Sequence, residues 1–334
     1  MIDPTLPLID LHRHLEGCVR LETMIELGRQ HQVSLPAWDV ESLRAHVVVT
    51  KPQPGVMAFL FPRIGWMIGV MADYDACRRI AYESIEDAYR EGIDHLELRF
   101  SPLFMAQPHH LDAVGVVEAV VDGAEQAARA TGISVKLIGI MSRTYGVENA
   151  WKELNALLTQ SDHIVALDLA GDEIAFPGHL FIEHFRRGRD AGWRVTIHAG
   201  EATGAESIWQ AIRDLGATRI GHGIRAVEDP ALLEYLAEQR IGLEINLTSN
   251  VQTSVVPDYA SHPLRQLLSS GVLATINSDD PVISGIDLPY EYRTAAPAAG
   301  LDAEQIRRVQ ANALETAFLS SEEKQALMAR IGQR

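Results

Sequence analysis

The chain has 334 residues and carries 29 lysines and arginines against 45 aspartates and glutamates, which gives a formal net charge of −16. Nucleic-acid and anionic-membrane binders need a basic surface, so this balance argues against both kinds of partner. The 47% share of hydrophobic residues is typical of a globular protein with a sizeable core and argues against a disordered chain.

The expected location follows from cysteine usage and hydropathy. Two cysteines, Cys18 and Cys77, cannot form a disulfide framework, which indicates a reducing compartment. The first ten residues, MIDPTLPLID, contain acidic residues and prolines instead of the basic flank and apolar run of a signal peptide. No apolar stretch approaches the roughly 18 residues of a membrane span. We therefore expect a soluble, cytoplasmic protein without a membrane partner.

In chain order, eight apolar runs rich in β-branched residues end in polar or charged residues. They predict strands at residues 8–14, 95–102, 135–142, 164–173, 194–201, 219–223, 242–250 and 273–281. Stretches of helical period lie between the later runs, at 178–191, 205–215, 229–239 and 261–270, each with a glycine close behind. This alternation predicts a parallel sheet covered by helices. Eight such units favour an α/β fold of the (β/α)8 TIM-barrel type over an open doubly wound sheet.

Two segments fall outside this alternation. Residues 15–94, which follow the first strand, read as a helical insert, and residues 302–332 read as a helical C-terminal extension. A second domain built from residues 15–94 is the alternative, but no change of composition marks a boundary. We therefore expect a single barrel domain over residues 1–334. Within the insert, residues 44–74 are a candidate for a mobile lid, although an insert that only packs would show the same pattern.

Chemically active side chains collect at the predicted strand ends, where barrels of this type build their active sites. They are His12, His14, Asp172, Glu173, His198, Glu201, His222, Asp279 and Asp280. Residues two apart on a strand share a face, so His12 and His14 point into the barrel mouth while Arg13 turns away. Such a pair chelates divalent metals well. Alone it arises easily by chance, and Asp279-Asp280 would often be a turn, but their coincidence at strand ends favours a site.

Three imidazoles and one carboxylate would give a metal ion a mostly neutral ligand set with room for water. These ligands are His12, His14, His198 and Asp279. Such an ion lowers the pKa of water toward neutrality and so supplies hydroxide. Glu201, a carboxylate outside the ligand set, is the candidate general acid or base, and His222 is placed to orient the hydroxide. The fourth strand end, DLAGDE, has no lysine that could bridge a second ion, so the sequence predicts metal-assisted hydrolysis with one ion.

Seven motifs follow one another along the chain: HRHLEG (12–17), LRFSP (98–102), DLAGDE (168–173), HAGE (198–201), GHG (221–223), LTSN (247–250) and SDDP (278–281). In this order they resemble the motifs of adenosine deaminases, within the metal-dependent amidohydrolase barrels, and are closest to the bacterial members. The combination covers nearly the whole chain and is far more specific than any single motif. The resemblance implies hydrolytic deamination of adenosine and 2′-deoxyadenosine to inosine and deoxyinosine, with release of ammonia, in purine salvage.

The resemblance also implies roles for the matching residues. One zinc ion, or another divalent transition metal, would be held by His12, His14, His198 and Asp279. Glu201 would pass a proton to N1 of the purine while hydroxide, held by His222, attacks C6. Asp280 would hydrogen-bond N7, and the Gly171 backbone would meet N3, where the absence of a Cβ permits close approach. A simple turn is the alternative for Gly171. His14 and Glu16 would also contact the purine nucleoside.

Glu16 departs from the family pattern, which usually has aspartate where the ribose 5′-hydroxyl is bound. Glutamate is common there in relatives that deaminate free adenine. One extra methylene moves the carboxylate by about a bond length, enough to change a sugar contact. The alternative function is therefore deamination of adenine or of another 6-aminopurine nucleoside. A non-catalytic binding protein on the same scaffold is disfavoured because the ligands and Glu201 are all present. The sequence leaves the oligomeric state open.

Overall fold

The computed structural model describes residues 2–333. It contains eight parallel strands in sequential order: β1 (Ile9–His14), β2 (His95–Phe100), β3 (Ser134–Ser142), β4 (Ile164–Ala170), β5 (Arg194–Ala199), β6 (Arg219–His222), β7 (Gly242–Ile245) and β8 (Leu273–Ile276). The segment after β8 meets β1, since the N–H of His14 donates to the Asp279 carbonyl (2.9 Å) and that of Asp279 to the His12 carbonyl (2.8 Å). The sheet is therefore nearly closed, and the predicted TIM-type barrel is confirmed.

All eight predicted strands are present, but three of them end three to five residues earlier than the sequence pattern indicates. β4 ends before Gly171, whose φ of 107° lies outside the strand region. The sequence pattern predicts that the seventh strand continues to residue 250, whereas the chain turns into the helix Leu247–Gln252. β8 stops before Asp279, which has a left-handed φ of 62°. The polar residues at the ends of these runs are therefore outside the hydrogen-bonded strands and lie at the barrel mouth.

Helices cover the barrel in the order that the sequence predicts. The insert and the first crossovers contain Leu21–Gln30, Val40–Val47, Val56–Leu60, Arg63–Gly69, Tyr74–Arg90, Pro102–Ala106 and Ala113–Thr131. The remaining barrel contains Gly146–Leu158, Ile182–Asp190, Ala205–Arg213, Pro230–Glu238, Leu247–Gln252, Leu264–Ser269, Pro281–Ser284, Leu288–Tyr290 and Ala296–Ala298, and the C-terminal extension contains Ala303–Thr316 and Ser321–Ile331. No helix within residues 2–333 is long and apolar enough to cross a membrane.

Local sequence signals account for several helix ends. The Asp73 side chain accepts from the N–H of Ala76 (2.7 Å) and so caps Tyr74–Arg90. Ser320 and Glu323 form a reciprocal capping box at the last helix. These caps satisfy N–H groups that have no partner inside the helix. The insert and the extension are helical, as predicted.

Charged side chains fill the middle of the barrel, between the apolar surfaces that the helices cover. Arg99 donates to Asp168 (2.8 Å) and to Glu244 (2.7 Å), and Arg219 pairs with Glu97 and Glu244. All five side chains are fully buried. Buried charges are tolerated when each is paired and hydrogen-bonded, which this network provides. Removing one of these side chains would leave another charge buried without a partner. The network therefore ties the strands together beneath their carboxyl ends.

Candidate active site

Four side chains with metal-binding atoms converge at the barrel mouth. Nε2 of His14 lies 3.3 Å from Nε2 of His12 and 3.2 Å from Nε2 of His198. Oδ1 of Asp279 lies 3.3 Å from Nε2 of His12 and 3.4 Å from Nε2 of His14. Arg13 turns to the opposite side of β1, where it pairs with two carboxylates, as strand alternation predicts. The structure thus brings the four candidate ligands together.

The cluster fits a metal ion. Its four ligand atoms all lie within 4.8 Å of one another. Tetrahedral ligands with bonds of about 2.0–2.1 Å are roughly 3.3 Å apart, which matches the separations between the ring nitrogens and the Asp279 oxygen. Burial holds the pKa of His14 well below its usual value, so the ring is neutral and offers a lone pair. A set of three imidazoles and one carboxylate suits several divalent ions and does not by itself select one.

Residues beneath the cluster orient two of the imidazoles. Nδ1 of His12 lies 2.7 Å from Oε2 of Glu244, and Nδ1 of His198 lies 3.0 Å from Oδ2 of Asp168. Arg99 donates to both of these carboxylates. A carboxylate at Nδ1 keeps the ring proton on that nitrogen, which leaves Nε2 free to bind a metal. The tautomers required of His12 and His198 are therefore built into the barrel.

Glu201 and His222 lie beside the cluster. Oε1 of Glu201 is 3.7 Å from Nδ1 of His222, whose Nε2 is 3.8 Å from Oδ2 of Asp279. Burial, together with the charge of Asp279, raises the pKa of Glu201 well above its usual value. Burial and the same neighbouring charge also raise the pKa of Asp280. A buried carboxyl with a raised pKa can hold a proton near neutral pH and release it to a substrate.

Glu173 fixes the loop that carries Glu201. Its carboxylate accepts from the N–H groups of Gly200 (2.7 Å), Ala202 (2.8 Å) and Thr203 (3.1 Å), and from the Thr203 hydroxyl (2.6 Å). These bonds hold the backbone on both sides of Glu201. The sequence marked Glu173 only as a polar residue at a strand end, whereas the structure shows that it positions the neighbouring loop.

An apolar pocket opens above the cluster and contains about 980 Å³ including its mouth. Eight of the nine predicted site residues line it: His14, Glu16, Gly171, His198, Glu201, His222, Asp279 and Asp280. His12 lies below the floor with no exposed surface. Part of the wall comes from the insert, through Val56, Met57, Phe59, Leu60, Phe61 and Ile64. Part of the segment 44–74 therefore borders the pocket, and its mobility stays a prediction.

Two positions at the pocket edge bear on the substrate. Oε1 of Glu16 accepts from the N–H of Ser101 (2.6 Å), while its buried Oε2 has no hydrogen-bond partner among residues 2–333. Burial raises the pKa of Glu16 to about 7. At Gly171 the positive φ is strained for other residues, and a Cβ would lie 2.4 Å from Oγ1 of Thr144. Gly171 is thus needed for its conformation, and its main chain faces the pocket.

The sequence did not predict several residues that support the site. Asp168 lies inside the DLAGDE motif and Asn250 inside LTSN, yet neither received a role. Glu244 carried one usable signal, a lone charge within the apolar strand GLEI. Arg99 carried a similar signal in β2. Which carboxylate meets which imidazole depends on the register of neighbouring strands, so residue type and spacing could not reveal these pairs.

A nearly closed parallel barrel with three histidines, an aspartate and a buried glutamate at its strand ends defines a metal-dependent hydrolase of the barrel class. The family model described as adenosine deaminase matches residues 7–334. The chain belongs to the adenosine deaminase family.

Individual relatives agree with this assignment. The chain is 57% identical to an adenosine deaminase of Escherichia coli O1:K1 over 331 residues, which are 99% of each protein. It is also 57% identical to an adenosine deaminase of Vibrio parahaemolyticus over 334 residues, which cover all of both chains. The solved structure of an adenine deaminase from Arthrobacter aurescens superposes with a TM-score of 0.90 and 25% identity, over 98% of each chain. Because the chain is 57% identical to the adenosine deaminases but only 25% identical to the adenine deaminase, the comparisons do not favour the alternative function suggested by Glu16.

Proposed function

We propose that this protein catalyses the hydrolytic deamination of adenosine and 2′-deoxyadenosine, so that water and the nucleoside give inosine or deoxyinosine and ammonia. The observation that carries the proposal is the placement of Glu201 and His222 against the four candidate metal ligands, at the floor of an apolar pocket. Apolar walls suit a flat, uncharged purine, and a few converging polar groups orient it. A role in purine salvage is part of the same proposal.

The residues at the barrel mouth have separate roles in this reaction. His12, His14, His198 and Asp279 would hold one zinc ion. Such an ion, when bound, acidifies water so that hydroxide is available near neutral pH. Glu201 is the group that takes a proton from the attacking water and delivers it to N1 of the purine, because its carboxyl is buried and faces the cluster. His222 holds the attacking oxygen over C6.

The remaining polar groups orient the substrate. Asp280 carries a carboxyl whose raised pKa lets it donate a proton to N7 in a hydrogen bond. The main chain at Gly171 meets N3 on the opposite edge of the base. Oε2 of Glu16, which is buried without a partner among the described residues, is available to the sugar hydroxyl. His14 also lines the pocket and would contact the nucleoside.

Turnover of three substrates tests this proposal. The metal-loaded protein is assayed by absorbance with adenosine, 2′-deoxyadenosine and adenine, and kcat/KM is compared. We expect both nucleosides to be deaminated and adenine to be much the poorest substrate. Zero turnover of adenosine by metal-replete protein would contradict the proposed function, and a large preference for adenine would contradict its nucleoside part. Glu16→Asp should change the ratio between adenosine and adenine, with metal content unchanged.

Three further expectations accompany the function. Elemental analysis of protein purified without added metal should find about one zinc ion per chain. One barrel domain over residues 1–334 predicts a single unfolding transition for the metal-loaded protein. The cytoplasmic location stays a prediction that fractionation of cells can test.

A further inference from the structure

A series of hydrogen bonds connects the N-terminus of the helix Leu264–Ser269 to His222. The helix Leu264–Ser269 begins directly after His262 and Pro263, and the N–H of Leu264 lies 3.1 Å from Nδ1 of His262. Nε2 of His262 lies 3.2 Å from Oδ1 of Asn250, and Nδ2 of Asn250 lies 3.0 Å from Nδ1 of His222. His262, Asn250 and His222 are all buried. The sequence analysis and the proposed function give no role to Leu264, His262 or Asn250.

The direction of this series of hydrogen bonds is set at its first bond. A backbone N–H can only donate, so Nδ1 of His262 must accept and carries no proton. Burial lowers the pKa of His262 to about 3, so the ring is neutral and its single N–H is at Nε2. That N–H donates to the Asn250 side chain, which must present its oxygen there. The orientation of the Asn250 amide, ambiguous from shape alone, follows from this donor.

The orientation of the Asn250 amide also determines which nitrogen of His222 carries the proton. With its oxygen facing His262, Asn250 presents its NH2 group to Nδ1 of His222. Nδ1 of His222 therefore accepts this hydrogen bond and carries no proton. The single ring proton is then on Nε2, the nitrogen that lies 3.8 Å from Asp279. Nδ2 of Asn246 lies 3.4 Å from the same Nδ1 and 3.5 Å from Nε2, so it favours neither ring nitrogen, whereas the 3.0 Å contact from Asn250 is made to Nδ1.

We infer that His262, acting through Asn250, is a positioning residue that holds His222 in the tautomer with its proton on Nε2. His222 is then a hydrogen-bond donor toward the attacking oxygen and cannot accept the proton of the attacking water. That proton goes to Glu201, whose carboxyl lies 3.7 Å from His222 and which the proposed function already assigns to proton transfer. The inference rests on the proposed function, since it specifies how His222 serves that reaction.

Asn250→Asp is the sharpest test because it nearly preserves shape and reverses polarity. A carboxylate only accepts, so it would still bond His262 but would draw a proton onto Nδ1 of His222. We expect kcat for adenosine to fall about a hundredfold, as for loss of one oriented donor, with metal content and KM little changed. His262→Gln, whose amide can still donate to Asn250, should keep kcat close to wild type, whereas His262→Leu should lower it. His184→Leu, which removes a buried histidine whose Nε2 lies 3.0 Å from the Val147 carbonyl oxygen, is the matched control.

A spectroscopic measurement reads the tautomer directly. ¹⁵N NMR of metal-loaded protein labelled in histidine, with His222 assigned by comparison with His222→Gln, should show a protonated Nε2 and a bare Nδ1. Asn250→Asp should move the proton to Nδ1, and His184→Leu should not. A proton on Nδ1 in the wild-type protein, or an Asn250→Asp variant with unchanged kcat, would overturn the inference.

A double-mutant comparison separates this inference from the function on which it rests. If His262 acts through His222, then His262→Leu should not lower kcat further in a His222→Ala background. An additional loss there would show that His262 acts elsewhere and would overturn the inference. An inactive wild-type protein would instead contradict the proposed function, whereas a fully active His222→Ala variant would remove His222 from the reaction and overturn the inference.

Discussion

Nδ1 of His12 lies 2.7 Å from Oε2 of Glu244, and both side chains are fully buried. The contact joins a candidate metal ligand on β1 to a carboxylate on β7, across the barrel interior. Because the carboxylate fixes the ring proton on Nδ1, the affinity of the site for metal depends on a residue that touches no substrate.

Glu244→Gln should weaken metal binding about 10- to 100-fold, because an amide no longer stabilises the required tautomer of His12. Asp168→Asn should do the same through His198. Competition with a chromophoric chelator measures the affinity. Glu291→Gln, which alters a buried carboxyl bonded to Thr248, is the control and should keep wild-type affinity. Equal affinities in all three variants would show that these carboxylates only support the barrel.

Glu201→Gln should retain metal and ligand but turn over adenosine at least about a hundredfold more slowly, since a glutamine cannot carry the proton. Steady-state kinetics with elemental analysis of the same samples measures both properties. Glu206→Gln, on an exposed side chain in the next helix, is the matched control. Near-normal kcat in Glu201→Gln would remove this residue from the reaction.

His198→Ala should lose the metal ion, because one of four ligands and its bond to Asp168 disappear together. Elemental analysis gives the stoichiometry, and thermal unfolding separates metal loss from misfolding. Removing the ion from the wild-type protein with a chelator should lower Tm, and adding zinc should restore it, since a ligand that binds only the native state stabilises it. Full occupancy in His198→Ala would exclude this residue as a ligand.

Glu291 should make stability fall as the pH rises. Burial raises its pKa to about 8, from 4.5 when unperturbed. Between these values the unfolded chain has released the proton and the folded chain still holds it, so unfolding becomes easier at higher pH. Glu291→Gln should therefore gain stability relative to wild type from pH 5 to pH 8, by on the order of 2–4 kcal/mol. Chemical unfolding at several pH values measures the trend, and a constant difference would contradict it.

The segment that borders the pocket should respond to a ligand if it is a lid. Met57 and Phe61 line the pocket yet remain 42% and 46% exposed, so bound nucleoside would cover them. Hydrogen exchange in Val56–Leu60 and Arg63–Gly69 should slow when inosine is added. Tyr74–Arg90, which does not line the pocket, serves as the internal control. Unchanged exchange in both shorter helices would identify the insert as packing structure.

Much of the fold was readable from sequence because period and polarity are local properties. Alternating runs with helical stretches between them predicted all eight strands, the helical insert and the helical extension. The strand ends at Gly171 and Asp279 were misjudged, since apolar or polar character does not report a positive φ. Seven of the nine candidate site residues were found because imidazoles and carboxylates at strand ends are unusual, and the family resemblance added Glu16 and Gly171.

The sequence by itself determined the barrel, the family resemblance and the set of candidate ligands. Only the tertiary structure decided which group orients which. Glu244 reaches His12 from β7, Asp168 reaches His198 from β4, and His262 governs His222 through Asn250. The reason is physical: the tautomer of a buried imidazole depends on a single hydrogen-bond partner, and that partner can come from any strand or loop that folding places within about 3 Å.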